Sequence, residues 1–315
     1  MKAEKTKGSA LNTVLPAFLI CAITSFVLRF MQVYKYIDVE TGFFTQSSLV
    51  NTIAYIQIFG TCIFFFVYSF ITQRNKTLEI FGQKKKVLAA VTYIFAAVML
   101  IDTVNVFASS IKSMNSNTEV NYMVTEQQST FKSMMSDGSL PGVFQCVFGV
   151  FTVVYFLSVA TSFAKGSKNA AERKILALAP VGWVAFRMVH LFVSKISFVK
   201  VSDLFFELVM LACMILFFMS FAQSASGVYN TGTSWKIASF GLPAALIAFA
   251  LQMTRLILSV IGSEKYINPN HTFSLVDLVF SIFCVAVVFS VYESRNEQTK
   301  SVEIEEGRKP DTEIR

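Results

Sequence analysis

Residues 140–164 read LPGVFQCVFGVFTVVYFLSVATSFA, a run of 25 positions without a single charged side chain. At a rise of about 1.5 Å per residue, a helix of this length is longer than the roughly 30 Å hydrocarbon core of a bilayer. Apolar runs of this length without charge are typical of helices whose surroundings are lipid. The stretch therefore predicts a transmembrane helix.

Seven further apolar runs of similar length predict, with this one, an all-α, polytopic membrane helical bundle of eight transmembrane helices. Hydrophobic residues make up 54% of the 315 positions and charged residues only 15%, whereas soluble domains carry about 25% charged residues. The predicted helices cover about 15–34, 49–72, 87–111, 140–164, 175–194, 201–223, 237–261 and 273–292. We interpret residues 1–292 as one transmembrane domain and the charged residues 293–315 as a disordered cytoplasmic tail.

The Lys and Arg residues are divided unevenly between the two sides of the membrane. Eighteen of the 27 lie in the N-terminal stretch, the second, fourth and sixth loops and the tail, six lie in the other loops, and three lie within helices. The positive-inside rule places the first group, and with it both termini, in the cytoplasm. The basic balance thus indicates membrane topology and attraction to anionic lipid. No basic face interleaved with aromatics lies outside the bilayer, so nucleic acid is not expected as a partner.

The three intramembrane arginines, Arg29, Arg187 and Arg255, each lie about six residues before the predicted outer end of their helix. That offset corresponds to roughly 9 Å below the outer interface. Polar residues on other helices enter from the same interface to a comparable depth. These residues form a predicted polar layer that consists of Arg29, Gln32, Asn51, Asp102, Asn105, Arg187, His190, Glu207, Gln252, Arg255 and Asp277.

Three of the four predicted helix pairs share a pattern. The first helix of each pair has a Pro near its cytoplasmic end and an Arg in its outer half, and the second helix begins with a polar residue. The remaining pair has Asp102 where the others have Arg, and its second helix offers only Gln145. The pattern predicts four helical hairpins that are related as parallel repeats about an axis along the membrane normal.

Two interpretations of the polar layer stay open at the level of sequence. Unpaired charge inside a bilayer is costly, so the groups can serve simply to fix which helices are neighbours. Alternatively, the layer lines an outward-facing cavity in which guanidinium groups bind an anionic or zwitterionic ligand, because Arg offers a planar fork of donors to carboxylate or phosphate. The expected ion pairs are Arg187 with Glu207, Arg255 with Asp277, and Arg29 with Asp102.

The sequence does not support a specific catalytic, metal-binding or cofactor-binding site. It contains no HExxH, GxSxG or P-loop motif and no Asp-rich metal motif, so no catalytic residue, metal site or cofactor is predicted. The five cysteines lie in apolar runs without CxxC spacing and read as small apolar residues. An Asp203–Glu207 carboxylate dyad on one helix face is conceivable, but an interfacial Asp and an Arg-paired Glu explain the same spacing.

One loop carries a resemblance. Arg29 to Gln32 is followed, after Tyr36, by residues 37–44, which read IDVETGFF. This IDxETGFF segment resembles one found in uncharacterised multi-spanning membrane proteins of Gram-positive, clostridia-like bacteria. The resemblance covers mainly the first hairpin and its loop. It implies a bacterial plasma membrane and no assigned activity.

These observations favour a transporter or ligand-binding membrane component for a small polar or anionic molecule. The alternative, from a different class, is a non-transporting structural or regulatory membrane subunit whose polar layer is fully paired and sealed. The third hypothesis is an intramembrane enzyme, whose catalysis would depend on Glu207. The expected partners are the lipid bilayer and a small anionic or zwitterionic ligand, and the sequence identifies no protein partner.

Overall fold

The computed structural model describes residues 9–38, 44, 49–74, 83–121, 139–167, 173–193, 201–226, 233–263, 266 and 273–306. Within these ranges the chain forms eight α-helices and a short 3-10 turn, Leu176–Leu178, that leads into the fifth helix. The helices are α1 (Ser9–Tyr36), α2 (Leu49–Gln73), α3 (Lys86–Asn121), α4 (Ser139–Lys165), α5 (Ala179–Val193), α6 (Val201–Ala225), α7 (Thr233–Val260) and α8 (Leu275–Glu306). Its β-structure there is a single isolated bridge between Ile37 and Phe44.

Eight segments, one on each helix with the 3-10 turn counted in the fifth, are long and apolar enough to cross a membrane. The prediction of an all-α, multi-pass membrane protein is therefore confirmed. Two helices continue beyond their predicted ends. α3 extends to Asn121, and α8 extends to Glu306, so that the first part of the predicted disordered tail is helical. Residues 293–306 contain no Gly or Pro, which permits the continuation, and residues 307–315 lie outside the described residues.

Helix α7 is the centre of the bundle. It contacts α1, α2, α6 and α8, and 83% of its most apolar window is buried, compared with 22% for α2. Small residues such as Gly241, Ala244, Ala245 and Ala248 allow the neighbouring helices to approach it closely. The parallel-repeat relation among the helix pairs stays a prediction.

The two ends of the bundle differ in chemistry. The end that holds Arg29, Arg187 and Arg255 is called the arginine end, and there the last turns of α1 and α7 meet Tyr266. The opposite end, called the lysine end, holds Lys84, Lys85 and Lys86. At that end the backbone nitrogen of Lys85 donates to the carbonyl of Phe163 in the last turn of α4. By the predicted topology, the arginine end faces outward.

A group of packed phenylalanines separates the two ends. The rings of Phe95 and Phe283 stack with centroids 4.9 Å apart, and Phe156 meets both of them edge to face. Phe217 and Phe280 extend the group onto α6 and α8. Phe95 lies seven residues before Asp102 on α3, hence roughly 10 Å closer to the lysine end. We call these five residues the aromatic floor, because they lie beneath the polar layer.

Candidate functional site

Arg187 on α5 is bound mainly to Asp277 in the first turn of α8. Its two terminal nitrogens donate hydrogen bonds of 2.5 and 2.6 Å to the two carboxylate oxygens, which is the parallel geometry that a guanidinium and a carboxylate favour. The Asp277 side chain is fully buried, whereas 14% of the Arg187 side chain is exposed. Asp277 is therefore enclosed by protein, and Arg187 is the one of the two that reaches open space.

Glu207 on α6 lies between two arginines. One of its carboxylate oxygens accepts a hydrogen bond of 3.0 Å from Arg255 on α7. Its other oxygen lies 3.5 Å from a terminal nitrogen of Arg187. Glu207 therefore joins α5, α6 and α7 through a single carboxylate, and both of its oxygens face a positive group.

Arg29 on α1 is completely buried and pairs with Asp203 in the first turn of α6. Its second terminal nitrogen donates a hydrogen bond of 2.5 Å to Gln32, one turn further along α1. The guanidinium carbon lies 4.8 Å from the centre of the Phe206 ring, within the range of a cation–π contact. The Arg29 charge is thus met by a carboxylate, an amide and an aromatic face.

The structure differs from two of the three expected ion pairs. Asp203, one helical turn before Glu207 on the same face of α6, takes the place predicted for Asp102 as the partner of Arg29. Arg255 pairs with Glu207, because Asp277 is occupied by Arg187. The expected contact of Arg187 with Glu207 is present, as the longer of the Arg187 contacts.

The other predicted residues take different positions. Gln252 donates a hydrogen bond of 3.0 Å to Asp277 and accepts one of 2.9 Å from the backbone nitrogen of Ser274, so it supports the Arg187–Asp277 pair. Asn51 is buried in the first turn of α2, away from the cavity described next. Asn105 is exposed and His190 half-buried, and both line that cavity.

A cavity of about 430 Å³ lies beside the polar layer at the arginine end. Its walls come from α3, α4, α5, α6 and α8, and it follows α3 from Val98 to Ser109, roughly 16 Å. The volume falls within the range of small-molecule sites, about 300–1,000 Å³. Its polar lining consists of Asp102, Asn105, Ser109, Gln145, Arg187, His190, Glu207 and Ser274. We call this space the layer cavity.

Two of the less exposed polar side chains in the layer cavity, Asp102 and Gln145, have no bonded partner among the described residues. Asp102, half-buried on α3, accepts no hydrogen bond and forms no ion pair there, although it is close enough to Arg187 to interact through space. Gln145 on α4 is only 4% exposed and likewise makes no side-chain hydrogen bond within the described ranges. Buried polar groups normally have partners, so the lack of one at these two positions is unusual.

The other half of the polar layer is closed. The space beside Arg29, Asp203 and Arg255 amounts to about 10 Å³, at the lower limit of what a single water needs. No small molecule fits there. Of the three arginines, only Arg187 therefore reaches a space that a ligand could enter.

Acidic side chains outnumber arginines in the layer. Three arginines face four carboxylates, namely Asp102, Asp203, Glu207 and Asp277. Each arginine has at least one carboxylate partner, so Asp102 on the cavity wall is the acidic side chain left without an ion pair. No group of three His, Cys, Asp or Glu side chains in the described ranges is arranged to hold a metal ion.

The sequence prediction left out two residues of this site. Asp203 stands at the i−4 position to Glu207, and this spacing was the signal that both carboxylates share one face. Gln145 was visible as the only polar residue of its helix at that depth. Nothing in the sequence indicated that the Gln145 side chain would lack a hydrogen-bond partner.

Comparison with protein-family models, curated proteins and solved structures found no match to this chain. The likeness of the IDVETGFF segment to bacterial membrane proteins therefore stays a proposal, and residues 39–43 of that segment lie outside the described residues. What the protein does must be argued from the geometry of the polar layer and its cavity.

Proposed function

We propose that this multi-pass membrane protein binds a small polar molecule with a positive group, a cation or a zwitterion, in the layer cavity. It would act as a transporter or as a ligand-binding membrane component, in a bacterial plasma membrane with the lysine end in the cytoplasm. The observation that carries the proposal is the pair of unbonded polar groups, Asp102 on α3 and Gln145 on α4, in the wall of a cavity of about 430 Å³.

The charge preference revises the expectation of an anionic ligand. That expectation had guanidinium groups bind the ligand, but each of the three binds a carboxylate. An anion in the cavity would meet Arg187 only by competing with Asp277, which holds it through two hydrogen bonds. A positive group would meet Asp102, whose carboxylate oxygens accept no hydrogen bond from another described residue. The partly exposed edge of Arg187 remains for the negative end of a zwitterion.

Thiol labelling with charged reagents tests both access and charge preference. In the Asn105→Cys variant, the positively charged ethyltrimethylammonium methanethiosulfonate should react faster than the negatively charged ethylsulfonate reagent. Asp102 lies one turn away, about 5–6 Å, and a unit charge at that distance changes the relative rate of the two reagents about tenfold. Adding Asp102→Asn should abolish the difference.

A matched control exists on the same helix. Val104 lies next to Asn105 but is 58% exposed and does not line the cavity, so the Val104→Cys variant should face lipid and react slowly with both reagents. The unmodified chain, with its five natural cysteines, provides the background rate. Reaction in intact cells would also support the proposed orientation. Equal, slow labelling of both variants would overturn the proposed ligand site, and faster reaction with the anionic reagent would overturn the charge preference.

The second candidate is a non-transporting structural or regulatory subunit. It is favoured by the closed half of the layer, where Arg29 and Arg255 are buried against carboxylates with about 10 Å³ of space beside them. For this function the layer cavity would be a packing defect that solvent does not reach. Absence of labelling at Asn105→Cys is the result that this candidate predicts.

A further inference from the structure

A second recess lies at the lysine end, far from the polar layer. Its volume is about 790 Å³, and it is bounded by the start of α1, the segment that leads into α3, and one flank of α8. Lys84, Lys85 and Lys86 form its rim, and Leu15, Ile282, Val285, Ala286 and Phe289 form its apolar wall. We call this space the lysine recess.

The lysine rim is held in a fixed position. The Lys85 backbone nitrogen donates a hydrogen bond of 3.0 Å to the Phe163 carbonyl. The Lys85 ammonium group donates to the hydroxyl and the carbonyl of Ser290 on α8, at 2.6 and 3.1 Å. Lys85 therefore joins the start of α3 to α4 and α8. Because this connection orders the rim, little conformational entropy is lost when a ligand binds to it.

The charges beside Lys85 remain available. Lys84 and Lys86 are exposed, and neither of their ammonium groups forms an ion pair or a hydrogen bond with another described residue. Glu293 is the acidic residue on the rim, so three positive charges face one negative charge. The rim is thus suited to a group with one or two negative charges.

The wall beneath the rim is apolar and open on the lipid side. Ile282 is 53% exposed, Leu15 37% and Val87 78%. From Ser290 to Ile282 the wall follows α8 for roughly 12 Å toward the bilayer centre. The membrane-spanning parts of α3 and α8 end at Lys86 and Glu293, so the rim lies at the level of a membrane surface.

We propose that the lysine recess binds one anionic phospholipid, with its phosphate at Lys84 and Lys86 and an acyl chain against Ile282 and Phe289. Basic pockets between transmembrane helices bind acidic headgroups through such an arrangement. A soluble phosphate would use the rim but leave the apolar wall without a role. A neutral phospholipid would use the wall but gain little from the net positive rim. Only an anionic phospholipid satisfies both.

Lipid retention measured by native mass spectrometry tests the proposal. The full chain is purified in a mild non-ionic detergent and titrated with phosphatidylglycerol or with phosphatidylcholine of the same acyl chains. Each lysine near an anionic headgroup is worth about a factor of five in affinity. The Lys84→Gln, Lys86→Gln double variant should therefore bind phosphatidylglycerol about 30-fold more weakly and phosphatidylcholine as before.

The control removes two charges elsewhere on the same side. Lys165 and Lys174 are exposed and lie outside the recess, so their double Gln variant should keep the affinity within about twofold. Ala286→Phe keeps every charge but fills the recess, and it should also reduce phosphatidylglycerol binding. A circular-dichroism melt confirms that each variant is folded.

Three results would overturn the proposal. One is equal retention of the two lipids by the unmodified chain. Another is a rim variant that behaves like the control. The third is displacement of the lipid by millimolar glycerol 1-phosphate, since this would show that the headgroup alone is bound and that the apolar wall contributes nothing. None of these results depends on whether the layer cavity binds a ligand.

Discussion

Substitution of Arg187 by Gln is expected to lower the free energy of unfolding by about 3–4 kcal/mol, because it leaves a buried carboxylate without its charge partner. Arg187 supplies two hydrogen bonds of 2.5 and 2.6 Å to Asp277, whose side chain is fully buried. Loss of one partner of a buried ion pair costs about 3–5 kcal/mol. The hydrogen bond from Gln252 still reaches Asp277, so the expected cost lies in the lower part of that range.

The reverse substitution is expected to cost less. In the Asp277→Asn variant, Arg187 keeps Glu207 at 3.5 Å, and its side chain is partly exposed to the layer cavity. A loss of about 2 kcal/mol is therefore expected. The double variant removes both charges together, and its loss should be about 2–3 kcal/mol smaller than the sum of the two single losses.

The assay is equilibrium unfolding of the four proteins in mixed micelles of a denaturing and a non-ionic detergent, followed by circular dichroism. Lys165→Gln, an exposed charge outside the layer, should change the free energy of unfolding by less than about 0.5 kcal/mol. If the losses at Arg187 and Asp277 add to within about 0.5 kcal/mol, the two groups are not coupled and the reasoning is refuted.

Two further predictions concern close packing and a second polar contact. A methyl group on Gly182 would lie within 3.0 Å of three atoms of the Phe148 ring. Gly182→Ala should therefore lower the free energy of unfolding by about 1–3 kcal/mol in the same assay, because it forces α4 and α5 apart. Gly60 has open space around it, so Gly60→Ala should be neutral or stabilising, and equal effects of the two substitutions would contradict this explanation. Gln57 on α2 accepts a hydrogen bond of 3.0 Å from Ser25 and donates one of 3.1 Å to Thr24, both on α1. Gln57→Leu should therefore lower the free energy of unfolding by about 0.6–1.7 kcal/mol. An unchanged free energy of unfolding would show that these contacts do not join the two helices.

The eight membrane spans could be predicted from sequence because a bilayer imposes a length and a polarity on every helix that crosses it. Which helix occupies the centre could not. Lipid tails are as apolar as leucine, so an apolar helix surface does not reveal whether it faces lipid or protein. The alanines of α3 illustrate this, since Ala89 and Ala96 are buried whereas Ala90 and Ala97 are exposed.

For the polar layer, the sequence predicts how deep each residue lies in the membrane, but not toward which neighbouring helix its side chain points. Residue offsets gave the common level of the arginines and carboxylates, and the structure brings them together. Partner choice depends on helix order around α7, which no offset encodes. Asp203 was interpreted as an interfacial residue or as one half of a dyad with Glu207, and not as the partner of Arg29. The fourth carboxylate becomes informative only when Asp102 is found without an ion pair.

Ion pairs join some helices of the layer and leave others out. The pairs Arg29–Asp203, Arg187–Asp277 and Arg255–Glu207, with the Arg187–Glu207 contact, connect α1, α5, α6, α7 and α8. Within the described ranges, α3 and α4 contribute no ion pair to the layer. They pack tightly on each other instead, for example where Thr103 lies against Gly149. The layer cavity lies between these two groups of helices.

This division separates the two forms of the proposed function. A ligand that binds Asp102 and Gln145 together with Arg187 would join the α3–α4 pair to the other helices at the arginine end, and this requires no change below the layer. Release toward the lysine end would require the aromatic floor to part, because Phe95 of α3 stacks on Phe283 of α8 with centroids 4.9 Å apart. A transporter that released its ligand by this route would separate those rings in each cycle, whereas a ligand-binding component can leave them packed. The aromatic floor, rather than the charged layer, is therefore the structure whose movement distinguishes transport from binding.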